Sequence, residues 1–104
     1  MRKKLESVKT ITFSKHFHEP KVRLRGIDED KIKNHFKNPI KLEMVEDQGE
    51  EIKGHKYGLL FHKSSKYDLK IVVSLHEQSL NVITSYVQNK KRRKVFEKWL
   101  RRLR

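Results

Sequence analysis

Apolar positions in this chain fall in short blocks, and the spacing inside each block predicts the element it builds. The first ten residues predict a short, frayed helical turn, and Thr10-Ile11-Thr12-Phe13 has the alternation and β-branched content of a brief strand. Ser14 then offers a helix cap, and Phe17, Val22 and Leu24 suit a short helix over 15–25, although Pro20 is tolerated only in a first turn. After Gly26, the run Ile27-Asp28-Glu29-Asp30 opens a second helix with an Asp cap, acids at the positive end of the dipole, and Ile27 spaced to staple onto Ile32. That helix presents Ile32, His35 and Phe36 on one face and stops at Asn38-Pro39, because proline disfavours helical geometry in the residue before it.

From Ile40 the period changes to alternation. Ile40, Leu42 and Met44 fall on one face of a strand, with Lys41 and Glu43 on the other. Asp47-Gln48-Gly49 reads as a turn into a second extended run over 52–62, where Tyr57, Leu59 and Phe61 share a face and Gly54 and Gly58 suggest bulges or close backbone approach. A turn at 63–66 leads to the most strand-like stretch, 67–76, with Leu69, Ile71, Val73 and Leu75 inward; it predicts a central strand. A further turn at 77–79 enters 80–88, whose faces are Leu80, Val82, Thr84, Tyr86 and Asn81, Ile83, Ser85, Val87; the pattern does not choose between them. In 90–104, Val95, Phe96, Trp99, Leu100 and Leu103 fall at helical spacing among basic residues, which predicts a basic amphipathic helix. The expected fold class is therefore α+β: two short N-terminal helices, a four-stranded antiparallel meander sheet and a closing C-terminal helix, in one domain over 1–104 without repeat or linker.

Charge adds a partner to this picture. Twenty-six Lys and Arg against 13 Asp and Glu give a formal charge of +13, which repels itself unless an anion neutralises it. No apolar run approaches the ~18 residues of a spanning helix, so a crossing of the membrane is not expected. Met1-Arg2-Lys3-Lys4 starts like an export signal, but Glu6, Ser7, Lys9 and Thr10 interrupt the apolar stretch such a signal needs, and cytoplasm is the expected location. The absence of cysteine excludes disulfides and thiolate chemistry.

Several residues then take on a familiar order. The stretch from His16 to Gly26-Ile27, the Asn38-Pro39 helix end, the meander, and the strand ending Val82-Ile83-Thr84-Ser85-Tyr86 resemble a group of RelE-like domains, over roughly residues 10 to 88. In those domains a His precedes an Arg-Gly-Ile turn, and a Thr and a Tyr lie on the final strand. The spacing from His16 to Arg25 is one residue longer than the family's, and His18 fits no better. The resemblance implies membership of the superfamily that joins RelE and ParE toxins with barnase, EndoU and colicin-type ribonucleases. It implies metal-independent RNA cleavage by 2′-hydroxyl attack, or toxicity at the ribosome, with an acidic antitoxin as protein partner.

Such cleavage needs a base for the 2′-hydroxyl, an acid for the leaving oxygen and cations for the phosphorane. His16 with Arg23 or Arg25, His55 with Lys56, and Thr84 with Tyr86 form the candidate set, with His16, Arg25, His55, Thr84 and Tyr86 as the catalytic group, expected to converge on one concave face of the sheet. His18, His35, His62 and His76 read as solvated or hydrogen-bonded residues. No cofactor is expected, and no metal, because His16-Phe17-His18 lacks a completing Asp, Glu or Cys at ligand spacing. Lys90, Lys91, Arg92, Arg93, Lys94, Lys98, Arg101, Arg102 and Arg104 face one acid, Glu97, so with Arg23 and Lys56 they are the expected RNA contacts. Trp99, Leu100 and Leu103 read as core, which ranks nucleic acid ahead of a membrane surface. The acids Glu43, Glu46, Asp47, Glu50 and Glu51 read as a solvated turn. The competing expectations are a non-catalytic RNA-, ribosome- or DNA-binding module and a ParE-like toxin whose last helix contacts a protein target.

Overall fold

The computed structural model describes residues 2–14, 29–52 and 54–93. Its elements follow in the order α1 (Arg2–Glu6), β1 (Thr10–Phe13), α2 (Glu29–Lys37), a 3-10 turn at Pro39–Lys41, β2 (Leu42–Glu51), β3 (Gly54–His62), β4 (Tyr67–His76) and β5 (Ser79–Asn89). No helix among the described residues is long and apolar enough to cross a membrane.

The strands form one five-stranded sheet in the order β1-β5-β4-β3-β2. β1 runs parallel to β5, in register from Thr10 opposite Ser79 to Phe13 opposite Val82, while the other pairs are antiparallel. This corrects the expected α+β arrangement built on a four-stranded antiparallel meander. The described chain is mostly sheet, the sheet is mixed, and the strand read at 10–13 is its outermost member. Alternation in Thr10–Phe13 reveals a strand but not its partner, which is supplied from the far end of the sequence. There the Lys9 amide donates to the Gln78 carbonyl at 2.8 Å and the Ser14 amide to Val82 at 2.9 Å. The Ser14 hydroxyl, expected to cap a helix, donates to the Ile83 carbonyl at 2.7 Å. The helix expected over 15–25 and most of the one expected over 90–104 lie outside the described residues.

α2 forms where its sequence favours it. Glu29 and Asp30 sit at the positive end of the helix dipole, His35 and Lys37 at the negative end, and Ile32 and Phe36 bury one stripe. It ends at Lys37, Asn38 precedes the 3-10 turn, and Pro39 begins it, where its missing N–H removes no helical bond. Ile32 and Phe36 join Leu5 in covering one face of the sheet, against Leu42, Tyr57, Leu59, Phe61, Ile71, Val73, Leu80 and Val82. Fully burying each such side chain contributes about 1.5–3 kcal/mol, so this face carries most of the described stability.

Bulges decide what the opposite face carries. In β2, Leu42 pairs with Phe61 but Met44 pairs with Leu60, so the extra residue turns Met44 away from the core face that Leu42 occupies. Ile40, expected beside them, lies in the 3-10 turn and is exposed. Asp47-Gln48-Gly49 is a second bulge and not the expected turn. Asp47 Oδ1 accepts the Gly49 amide at 3.0 Å, Gly49 takes φ 92°, and pairing resumes as far as Glu51 opposite Gly54. In β5, Val82 pairs with Val73 and Thr84 with Val72, so Ile83 is extra. Leu80, Val82, Ser85 and Val87 therefore share the core face, while Asn81, Thr84 and Tyr86 belong to the other one.

Candidate functional site

Of the catalytic group expected from the sequence, the described members His55, Thr84 and Tyr86 do not share one face. His55 pairs across the sheet with Leu75 and thence Leu80, on the core side, whereas Lys56 pairs with Ser74 and Asn81 on the other side. Thr84 and Tyr86 share that second side with Lys56, so His55 and Tyr86 point away from each other. Alternation alone forces this once the register is fixed. His16, Arg23 and Arg25 lie outside the described residues, as do Lys94, Lys98, Arg101 and Arg102.

His55 has a structural setting of its own. Its Nε2 meets Asp47 Oδ1, and its ring stacks on Tyr57 with centroids 4.5 Å apart. The His55 hydrogen bond and then the Gly49 amide hold the Asp47 carboxyl below its ordinary range. The His35 ring lies tilted against Phe61 with centroids 4.6 Å apart, and burial, helped by the nearby Lys41 charge, lowers its pKa.

On the second face a buried charge pair stands among the strands. Glu46, 1% exposed, meets the Lys70 ammonium at 2.6 Å, as a charge pair and not an aligned hydrogen bond. Lys70 Nζ is also 5.8 Å from the Tyr86 ring centre. A hollow of about 750 Å³ is lined by Glu51, Ile52, Ser74, Asn81 and Ile83. Among the described residues, that lining brings one carboxylate, Glu51.

At one end of the sheet, five charged or titratable groups from separate segments neutralise one another. Asp68, fully buried, accepts Arg93 Nε at 2.7 Å and Nη2 at 2.5 Å, a bidentate pair. Glu43 accepts Arg93 Nη2 at 2.9 Å and Lys90 Nζ at 2.9 Å, and His62 Nδ1 lies 2.9 Å from Lys90 Nζ. The hydrogen bonds from Lys90 and then Arg93 pull the Glu43 carboxyl down to about 2. The acids read as a solvated turn are therefore working partners: Glu43 for Lys90 and Arg93, Glu46 for Lys70, Asp47 for His55. Conversely, Lys90 and Arg93, expected to meet RNA, already have carboxylates.

Beside that network is a cationic surface without such partners. Lys63, Lys66, Lys91 and Arg92 are exposed, and none has a carboxylate partner among the described residues. Two of them line a cleft of about 380 Å³ formed by Ser65, Lys66, Tyr67, Asn89, Lys90 and Lys91. Tyr67, 44% exposed, is among the few large apolar side chains presented to solvent. Sequence reasoning passes over Lys63, Lys66 and Tyr67 because they read as a turn and the first residue of a strand. The signal present is the basic-aromatic run Lys63-Ser64-Ser65-Lys66-Tyr67. No protein-family model, curated protein or solved structure matches this chain.

Proposed function

We propose that this protein binds RNA through the cationic end of its sheet, in the cytoplasm. The observation that carries the reading is the cleft that sets Lys66 and Lys91 beside exposed Tyr67, flanked in the chain by the exposed cations Lys63 and Arg92, in a protein of formal charge +13. Cations that neighbouring carboxylates already neutralise release few counterions on meeting phosphate, whereas these four have no such partner among the described residues. Fluorescence anisotropy of a labelled RNA across a salt series tests it. The expected result is tight binding at low ionic strength that weakens linearly on a log-log plot as salt rises. Absence of binding at low ionic strength overturns the proposal.

Metal-independent cleavage, which the RelE-like resemblance implies, is the second reading. It is supported by Thr84, Tyr86 and Lys56 lying on one face of the sheet. A phenol on such a face can serve as a proton donor or acceptor. Incubation of mixed RNA with the protein in EDTA, followed by end mapping, tests it: defined ends lost in Tyr86→Phe support cleavage, and intact RNA leaves binding alone.

A further inference from the structure

We infer that the cleft beside Tyr67 seats an unpaired base, so that the RNA this protein selects is single-stranded; the inference rests on the RNA-binding reading above. The Tyr67 ring is exposed at the mouth of a cleft whose other lining residues are polar or cationic. An aromatic face beside lysines offers a base a stacking surface and its flanking phosphates a counter-charge. In a duplex the faces of each base are covered by its neighbours in the stack, and only an unpaired base presents a face to a tyrosine.

The platform is held in place before any ligand arrives. The Tyr67 amide donates to Ser64 Oγ at 3.2 Å, and its carbonyl accepts the Ser64 amide at 3.1 Å and the Lys63 amide at 3.3 Å. Across the cleft the Lys90 amide donates to the Lys66 carbonyl at 2.9 Å, which ties the turn to the end of β5. The backbone that carries the ring is therefore ordered before binding, and only side chains remain to be fixed. Asn89 Oδ1 accepts the Lys91 amide at 2.9 Å, so the Asn89 amide group is oriented, and its NH2 is the donor left for a base edge. Lys90 lines the cleft but serves Glu43 and His62, which leaves the meeting with phosphate to Lys66 and Lys91.

The test uses the full chain with a single-stranded RNA hexamer carrying 2-aminopurine, and with an RNA duplex of matched phosphate number. The expected result is quenching of 2-aminopurine by the wild-type protein, preference for the single strand, affinity reduced about tenfold by Tyr67→Ala, and both properties kept by Tyr67→Phe. Tyr67→Phe retains the ring, so any folding defect of Tyr67→Ala is separated from loss of stacking by comparing their duplex affinities, which should be equal. Equal single-strand binding by Tyr67→Ala and wild type, or preference for the duplex, overturns the inference while leaving RNA binding intact. Failure of every RNA to bind at low ionic strength overturns both.

Discussion

Glu46 on β2 and Lys70 on β4 meet at 2.6 Å across β3 on one face of the sheet, with Glu46 only 1% exposed. Removing one member of a buried pair strands the other charge, whereas replacing both by apolar groups does not. Lys70→Met should therefore lower unfolding free energy by about 3 kcal/mol, and Glu46→Met combined with Lys70→Met should recover most of it. Urea denaturation of both single variants and the double variant checks the cycle; additive losses would contradict a direct pair.

Gly58 makes room for that pair. A Cβ there would lie 2.9 Å from Glu46 Oε2, 2.8 Å from Gln48 Nε2 and 3.0 Å from Lys70 Cε. Gly58→Ala should destabilise by about 1–3 kcal/mol through overpacking, and by less when Glu46 and Gln48 are both already Ala. Thermal melts of the two backgrounds measure the difference.

The buried bidentate pairing of Arg93 with Asp68 contrasts with the more exposed pairing of Lys90 with Glu43. Arg93→Ala should cost about 3 kcal/mol because it leaves the Asp68 carboxylate without its bidentate partner. Lys90→Ala, which loses Glu43 and only a longer 3.5 Å approach to Asp68, should cost less than Arg93→Ala. Chemical denaturation ranks the two, and equal losses would count against this account of the network.

Acid should dissolve part of the same network. Glu43 titrates at about 2 in the folded chain against an ordinary 4.5. A carboxyl depressed by folding stabilises the fold fully above its unfolded pKa and ceases to do so as pH falls through its folded one. The melting-temperature advantage of wild type over Glu43→Gln should thus be full above about pH 4.5 and vanish near pH 2. A gap that stays constant across this window would show that the carboxylate charge is not the source.

Salt dependence separates free cations from neutralised ones. On a single strand, every phosphate that a side chain neutralises adds about 0.7 to the log-log salt slope. Lys66→Gln and Lys91→Gln should each lower the slope by about that amount, while Lys90→Gln leaves it nearly unchanged. Anisotropy titrations at several salt concentrations give the slopes.

Local pattern carried much of the sheet. The alternation over 67–76 identified β4 as the central strand, and the Asn38-Pro39 boundary placed the end of α2. What the pattern could not carry was pairing between distant segments and the single-residue insertions that reverse a face. Thr10–Phe13 read as a strand, yet nothing local says that it lies parallel to β5. Met44 alternates with Leu42 in sequence but occupies the other face because Glu43 is inserted between their pairings. The candidate site was less legible still. His55 and Tyr86 are chemically apt residues that register places back to back, and the exposure of Tyr67 follows from its position at the tip of the sheet, which composition does not encode. The acids misled for a related reason: a charged residue is usually solvated, and only tertiary structure shows that Glu46 is buried and that Glu43 bridges two cations.

The Thr12 hydroxyl donates to Asn81 Oδ1 across 69 residues of sequence. During synthesis β1 emerges early and has no partner until β5 has left the ribosome and docked on β4. Ile11 and Phe13 must therefore wait, partly apolar and unmatched, while the three hairpin-linked strands ahead of β5 form through nearer contacts. Closure of the parallel edge becomes the late step of folding, and the interval before it is when the nascent chain is most prone to pair with the wrong strand.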